Sequence, residues 1–191
     1  EFEEKTSNIL KPIDNEIAKI DTVDFTELDK ANGIPYFLPT LQASLGSLVK
    51  GQFIVVSADY GAGKSAFVIS QAVATLKHLA QTKDSRPILY FNSEGTTADI
   101  FGRVCSNLYS DDVPEGFEGI IKNSEKIKRK FLQEYSSEQF LVLQMLSSNV
   151  DWVQNKIKKY NPALVIIDIT DTLAPEEDVT NLKKVYDRLR L

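Results

Sequence analysis

Residues 52–65 have the sequence QFIVVSADYGAGKS, and this stretch decides the fold. Its first six residues, 52–57, are a short apolar and β-branched run, which predicts a buried strand. Residues 58–65 match the phosphate-loop pattern G-x-x-x-x-G-K-[ST], with Ala58 in place of the first glycine. A helix is predicted from Ser65 to about Lys83, so the motif lies between a strand and a helix, as the pattern requires.

The residue types of this loop suit an anion held by the backbone. Gly61 and Gly63 permit backbone angles and a close approach that a side chain would block. The predicted helix directs its free N–H groups and the positive end of its dipole at the same anion. Lys64 supplies charge to the β- and γ-phosphates, and the Ser65 hydroxyl is a candidate Mg²⁺ ligand. The candidate nucleotide-binding residues are Asp59, Tyr60, Gly61, Ala62, Gly63, Lys64, Ser65 and Ala66. The simpler alternative is a glycine-rich turn in an ordinary α/β protein.

Strands and helices are predicted to alternate beyond the loop. Apolar runs predict strands at 88–92, 140–145 and 163–168. Helical periodicity predicts helices at 65–83, 100–108, 125–135, 150–157 and 178–191. Ser148 and Asp151 predict a capping box for one of these helices. Continuous apolar strands separated by helices indicate an α/β fold with a parallel sheet covered by helices on both faces.

Two acidic residues follow predicted strands. Asp168 ends an apolar strand, where a carboxylate is costly unless it meets a cation or hydrogen-bond donors, so Asp168 is a candidate Mg²⁺ ligand together with Ser65. The alternative is an Asp that caps the following turn. For Asp171, turn capping and a polar contact to the nucleotide site are equally favoured. Glu94 follows the strand at 88–92, at the same predicted sheet edge as the phosphate loop. A carboxylate there either orients the water that attacks the γ-phosphate or is a solvated loop residue.

The composition excludes several classes of protein. The 191 residues include 22 Lys and Arg against 27 Asp and Glu, and the net charge of −5 excludes a globally basic nucleic-acid coat. A single histidine, His78, argues against a His-based metal site, and a single cysteine, Cys105, excludes an internal disulfide framework. No apolar run is long enough to cross a bilayer and no signal peptide is evident, so we expect no membrane partner and a cytoplasmic location.

Several motifs resemble the RecA-type fold and, within it, the replicative hexameric helicases of the DnaB kind. Residues 45–52 (LGSLVKGQ) resemble the helicase approach to the first strand, and residues 63–67 (GKSAF) resemble its phosphate loop. Residues 91–94 (FNSE) resemble the F-S-L-E segment, and residues 165–169 (VIIDI) resemble the Walker B strand. Residues 188–190 (RLR) resemble part of the helix that precedes the next strand. The likeness covers about residues 35–191.

Residues 1–33 are polar with scattered apolar positions and are predicted to be a linker or docking helix. The resemblance implies a RecA-like P-loop NTPase with its ATPase core at residues 34–191. It implies that Glu94 is the catalytic base, that Lys64 takes part in catalysis, and that the cofactors are ATP and Mg²⁺. The family also implies a homo-oligomeric ring around single-stranded DNA. The sequence ends before the sensor, DNA-binding loops and arginine finger of that family, so we expect a fragment or one piece of a split gene, with weak hydrolysis and no unwinding.

Other functions share the early motifs. A RecA-type recombinase or a clock-type ATPase has the same phosphate loop. A nucleotide-gated assembly module would bind ATP without catalysis, and a small-molecule kinase would need an arginine-bearing lid, for which no arginine cluster is evident. The basic run at Lys126, Lys128, Arg129 and Lys130 is interpreted as a solvated helix face, with nucleic-acid contact as the alternative. Trp152 and Cys105 are interpreted as packing residues.

Overall fold

The computed structural model describes residues 33–59, 61–145 and 149–168. In this part of the chain three strands form one sheet: β1 (Ile88–Asn92), β2 (Phe140–Gln144) and β3 (Leu164–Asp168). All are parallel and their order is β2-β1-β3, with Asn92 opposite both Gln144 and Asp168. The three strands predicted at 88–92, 140–145 and 163–168 are therefore confirmed, and their carboxyl ends meet at one sheet edge.

The helices of the described residues follow the predicted alternation. They are α1 (Pro39–Leu45), α2 (Lys64–Thr82), α3 (Thr97–Leu108), α4 (Phe117–Lys122), α5 (Ser124–Glu134) and α6 (Val150–Tyr160). None of these helices is both long and apolar enough to span a membrane.

One face of the sheet is covered by α2 and α3. Side chains alternate between the faces of a strand, so Ile88, Tyr90 and Ile166 share this face. They form one buried cluster with the apolar side of α2, including Ile69 and Leu76, and with residues of α3. The predicted apolar face of α2 is buried except at Ala80, which lies in the last turn of the helix and is exposed. Cys105 is buried in this cluster, as predicted.

The other face of the sheet is covered by α6. Leu89 and Phe91 of β1 are buried here with Val150 and Val153 of α6. The Trp152 ring contacts Phe91 edge-on, with 5.6 Å between ring centroids, which confirms its packing role. The fold is thus α/β with helices on both faces of a parallel sheet, as the sequence predicts.

The prediction of a buried strand at residues 52–57 is wrong for this structure. The segment is not a strand in the structure and does not belong to the three-stranded sheet. Ile54, Val55 and Val56 are 48%, 57% and 38% exposed, although Phe53 packs against the cluster beneath α6. The physical reason is that a strand is stable in a sheet only when a neighbouring strand satisfies its backbone, and none of β1, β2 and β3 pairs with residues 54–57.

Smaller predictions are corrected by local chemistry. The cap of α6 is Asn149, whose side chain accepts a hydrogen bond from the Trp152 N–H at 2.9 Å, rather than the predicted Ser148. A short helix, α4, begins at Phe117, where the sequence patterns predict no helix. On α5, Lys128 pairs with Glu125 and Lys130 with Asp112, in keeping with a solvated, ion-paired face.

Some predictions fall on residues 1–32, 60, 146–148 and 169–191, outside the described residues. These are the linker or docking helix, Tyr60, Ser148, Asp171, the last helix and the 188–190 motif.

Candidate functional site

The phosphate loop leads directly into the first turn of α2. The helix begins at Lys64, and its N-cap is Gly63, with a left-handed backbone at φ 93°. Gly61 also has a positive φ, 76°. A Cβ at either glycine would meet no atom within 4 Å, so the backbone angle, not crowding, requires glycine here. Because the cap has no side-chain hydrogen bond, the N–H groups of the first turn are left for another acceptor.

Lys64 lies over the loop that precedes it. Its ammonium donates hydrogen bonds to the carbonyl oxygens of Ala58, at 2.5 Å, and Asp59, at 3.2 Å. The Ala62 N–H donates to the Asp59 carbonyl at 3.1 Å and closes the turn. Lys64 and Ser65 are half-buried, whereas Gly61, Ala62, Gly63 and Ala66 are exposed. Residues 61–66 thus combine an ammonium and a hydroxyl with exposed glycine and alanine residues.

The length and packing of α2 bring its first turn toward the carboxyl ends of the strands. Residues 83–87 join the end of α2 to the start of β1, and the Gln139 side chain donates to the Asp84 carbonyl at 3.2 Å just before β2. The helix therefore ends at the amino edge of the sheet. It packs along β1 and β3, and a helix of 19 residues extends about 28 Å, against about 17 Å for a five-residue strand. Its first turn is accordingly directed to the opposite edge, where β3 ends.

Asp168 is held by two side chains of the β1 region. The Tyr90 hydroxyl donates to Asp168 Oδ2 at 2.7 Å, and the Ser93 hydroxyl donates to the Asp168 carbonyl at 2.9 Å. Burial raises the pKa of Tyr90 well above its ordinary value, and the bond to Asp168 raises it further, so this phenol stays protonated and donates. The hydroxyl engages one carboxylate oxygen of the half-buried Asp168.

Glu94 is exposed on the short loop between β1 and α3. Two side-chain amides hold this loop. The buried Asn92 and the half-buried Gln144 both donate to the Gly95 carbonyl, at 3.3 and 3.1 Å. The Asn92 amide also donates to the Gln144 side chain at 3.1 Å. The backbone on either side of Glu94 is therefore fixed to β1, β2 and β3, while its carboxylate faces solvent.

A capping box fixes the chain after Glu94. The Thr96 side chain accepts from the Asp99 N–H at 3.1 Å, and the Asp99 carboxylate accepts from the Thr96 N–H at 2.9 Å. These bonds to Thr96, the backbone bond first, lower the pKa of Asp99. The helix α3 therefore begins at a defined place, two residues beyond Gly95.

The structure brings together some of the predicted site residues and leaves others outside its description. Glu94 and Asp168 lie at the same sheet edge, joined through Ser93. Tyr60 and Asp171 fall outside the described residues. Tyr90, Ser93 and Gln144 were not predicted, although the two-residue alternation of a strand puts Tyr90 on the face that carries Asn92. The missing information was the register of β1 against β3.

The oxygen donors present fit Mg²⁺ bound with a nucleotide. Among the described residues no group of three or more His, Cys, Asp and Glu side chains is placed to hold a metal. Mg²⁺, however, is usually bound by one or two protein oxygens together with substrate phosphates and water. Ser65, at the start of α2, and Asp168, at the end of β3, supply a hydroxyl and a carboxylate of that kind.

Comparison with known proteins gives one family. A model described as AAA domain matches residues 25–189 of this chain, which is most of its length. No curated protein matches the chain. The matched segment includes the phosphate loop, Glu94 and Asp168.

Proposed function

This chain belongs to the AAA domain family and has a RecA-like P-loop fold, so it is a nucleotide-binding ATPase; on this premise we propose that it is the motor core of a DnaB-type replicative helicase. In this proposal the chain binds ATP with Mg²⁺ at residues 59–66, hydrolyses it, and in its full-length form assembles as a ring on single-stranded DNA. The helicase assignment rests on the resemblance of residues 45–52, 63–67, 91–94 and 165–169 to helicase motifs.

One observation carries the catalytic part of the proposal. The loop that bears Glu94 is bonded to the Asp168 carbonyl through Ser93, at 2.9 Å, so a base and a candidate metal ligand share one sheet edge. Glu94 follows β1 and Asp168 ends β3, so the pairing of these two strands brings both residues to this edge, where Glu94 is exposed. The arrangement suits hydrolysis of a phosphate held at the first turn of α2.

Each side chain has a distinct task in the proposed reaction. Lys64 binds the β- and γ-phosphate oxygens, which requires that its ammonium leave the carbonyls of the loop. Ser65 and Asp168 would hold Mg²⁺, which neutralises phosphate charge when bound. Glu94 orients the attacking water and accepts its proton as the water oxygen bonds to the γ-phosphorus and the bond to the β,γ-bridging oxygen breaks. The products are ADP and inorganic phosphate.

Binding and turnover separate the roles of Lys64 and Glu94. We expect Lys64→Ala to weaken Mg-ATP binding by about 10- to 100-fold, the usual worth of a charge-assisted contact. Glu94→Gln should keep binding and lower turnover by about 10²- to 10⁴-fold, because only the base is lost. Calorimetry measures the binding and phosphate release measures the turnover.

Variants of exposed residues with the same charges at other places serve as controls. Lys77→Ala removes an exposed lysine from the fourth turn of α2, and Glu118→Gln removes an exposed carboxylate from α4. Both should bind and hydrolyse ATP as the unaltered chain does. Tight binding by Lys64→Ala would contradict the proposal, and binding without any turnover by the unaltered chain would favour an assembly module.

The helicase part has its own test. Single-stranded DNA should raise the rate of ATP hydrolysis by the protein in its full-length form, whereas double-stranded DNA of the same sequence should raise it less. A rate that no DNA changes would contradict a helicase and leave the ATPase.

A further inference from the structure

We propose that Tyr90 is a positioning residue for Asp168: the Tyr90 hydroxyl holds the Asp168 carboxylate in the orientation that binds Mg²⁺. This inference rests on the proposed function, in which Asp168 is a metal ligand. It assigns a role to a side chain that lies in the middle of a buried strand and carries no sequence motif.

The register of the sheet makes the contact possible. In the pairing of β1 with β3, Asn92 lies opposite Asp168 and Tyr90 lies opposite Ile166. Tyr90 is two residues before Asn92 on the same face of β1, so it is a diagonal neighbour of Asp168. Diagonal neighbours on adjacent strands are within reach of an aromatic side chain. The phenol crosses this diagonal and donates to Asp168 Oδ2 at 2.7 Å, a length typical of a strong hydrogen bond between a hydroxyl and a carboxylate.

The core fixes the position of the tyrosine ring. Tyr90 is completely buried, and its ring lies 6.2 Å, centroid to centroid, from the ring of Phe140 on β2. A buried ring between packed neighbours does not exchange between rotamers as an exposed one does. The Tyr90 hydroxyl is therefore a donor with a fixed position, and its hydrogen bond restricts the rotation of the Asp168 carboxylate.

Two bonds together define the placement of Asp168. Ser93 holds its main-chain carbonyl at 2.9 Å, and Tyr90 holds one oxygen of its side chain, which leaves the second carboxylate oxygen for a cation. Partners that orient metal-binding carboxylates in this way commonly contribute 10- to 100-fold to metal affinity. A phenylalanine at position 90 would pack equally well but would leave the carboxylate free to rotate.

The test measures how binding of a nucleotide depends on Mg²⁺. The probe is the fluorescent analogue N-methylanthraniloyl-ATP, titrated at increasing Mg²⁺ concentrations and, separately, in EDTA. We expect Tyr90→Phe to raise the Mg²⁺ concentration for half-maximal binding by about 10-fold, with EDTA binding unchanged within about twofold. A Mg²⁺ dependence equal to that of the unaltered chain would overturn the inference.

The chain offers a matched control in Tyr109. This tyrosine is also buried, 3% exposed, and its hydroxyl donates to a carboxylate oxygen of Glu134 at 3.1 Å, away from the Asp168 edge of the sheet. Tyr109→Phe removes the same kind of bond, so a purely structural effect would appear in both variants. An equal change of Mg²⁺ dependence in Tyr109→Phe would contradict a specific role for Tyr90.

A double variant distinguishes failure of this inference from failure of the proposed function. Asp168→Asn should raise the Mg²⁺ requirement, and Tyr90→Phe should add nothing in that background because it acts through Asp168. If Asp168→Asn has no effect, the metal-ligand assignment fails. If it has an effect and Tyr90→Phe alone has none, only the positioning role fails. Circular dichroism melting checks folding, and a variant that is folded only at low temperature is compared with the unaltered chain at that temperature.

Discussion

Two apolar stretches of similar composition have opposite environments in this molecule. Residues 88–92, ILYFN, form β1, and all five are buried between two neighbouring strands and helices on both faces. Residues 54–57, IVVS, belong to no strand in the described part of the chain, and Val55 is 57% exposed. Both precede a helix that begins near the candidate site.

The difference shows that apolar, β-branched sequence is not sufficient for a buried strand. A strand can leave water only when neighbours accept and donate its backbone hydrogen bonds, because each unpaired buried group is costly. β1 has β2 on one side and β3 on the other. Residues 54–56 have no such neighbouring strand among the described residues. Their backbone hydrogen-bonding groups need water, and their side chains are exposed as well.

Hydrogen exchange should give the largest contrast between the two stretches. The amides of β1 are bonded within the sheet, for example Ile88 N–H to the Gln139 carbonyl at 2.9 Å at its start, and should exchange only on global unfolding. With a stability of at least about 5 kcal/mol, their exchange should be slowed by 10³-fold or more. Amides 54–56 should be slowed by less than about 10-fold. Mass spectrometry of peptic fragments measures both.

Equal protection of the two stretches would break the comparison. It would mean that residues 54–56 acquire a strand partner in solution, for instance through association of chains. Repeating the measurement over a 20-fold range of protein concentration would reveal association, because protection that comes from a second chain rises with concentration.

Truncation of one side chain in each stretch should change stability very unequally. Leu89→Ala removes a completely buried side chain and should lower the free energy of unfolding by about 2–5 kcal/mol. Val55→Ala removes an exposed one and should change it by less than about 0.5 kcal/mol. Urea unfolding followed by circular dichroism measures both. Similar losses in the two variants would show that Val55 is buried in solution.

These contrasts explain how much of the fold the sequence could predict. The local signals were adequate for α2, predicted at 65–83 and observed at Lys64–Thr82, and for β1, predicted and observed at 88–92. Helical periodicity and turn residues are local properties, so one sequence contains them. The prediction at residues 52–57 failed because a strand depends on a neighbour that local sequence does not reveal.

The candidate site divides along the same line. The phosphate loop is contiguous, and its glycines and Lys64 could be identified from spacing alone. The contact between Tyr90 and Asp168 joins residues 78 positions apart and exists only because β1 and β3 pair in one register. The amides of Asn92 and Gln144 likewise meet only through the pairing of β1 with β2. Residues that position a site from neighbouring strands are thus the ones that sequence patterns miss.

Thiol reactivity offers a further contrast between buried and exposed positions. Cys105 is buried in the core, and burial raises its pKa to about 11. In a Val55→Cys variant the new thiol is exposed and should have an ordinary pKa near 8.5. Since the thiolate is the reactive form, we expect the new thiol to react with a maleimide at pH 7.5 at least about 100-fold faster. Intact-mass measurement over time counts one fast and one slow addition.

The unaltered chain and an unfolded sample are the controls for this measurement. The unaltered chain should show the slow addition only, and in urea both thiols should react at similar rates. Rapid labelling of Cys105 in the folded, unaltered chain would contradict its placement in the core.

The smallest expected effect concerns the two helix starts that follow the stretches. α2 has no side-chain cap, whereas α3 is closed by the Thr96–Asp99 capping box, whose bonds to Thr96 lower the pKa of Asp99. A depressed pKa in the folded state means that the contribution of Asp99 to stability is fully present above the unfolded pKa of about 3.9 and is lost as the pH falls through the lower folded value. Asp99→Asn should therefore shift the urea midpoint slightly downward at pH 7, and this difference from the unaltered chain should shrink as the pH is lowered from 4 toward 2.5.

Asp111→Asn, which changes an exposed carboxylate beyond the end of the same helix, serves as the control and should show no such loss at pH 7. A midpoint difference for Asp99→Asn that stays constant from pH 7 to 2.5 would mean that the charge of Asp99 does not stabilise the start of α3.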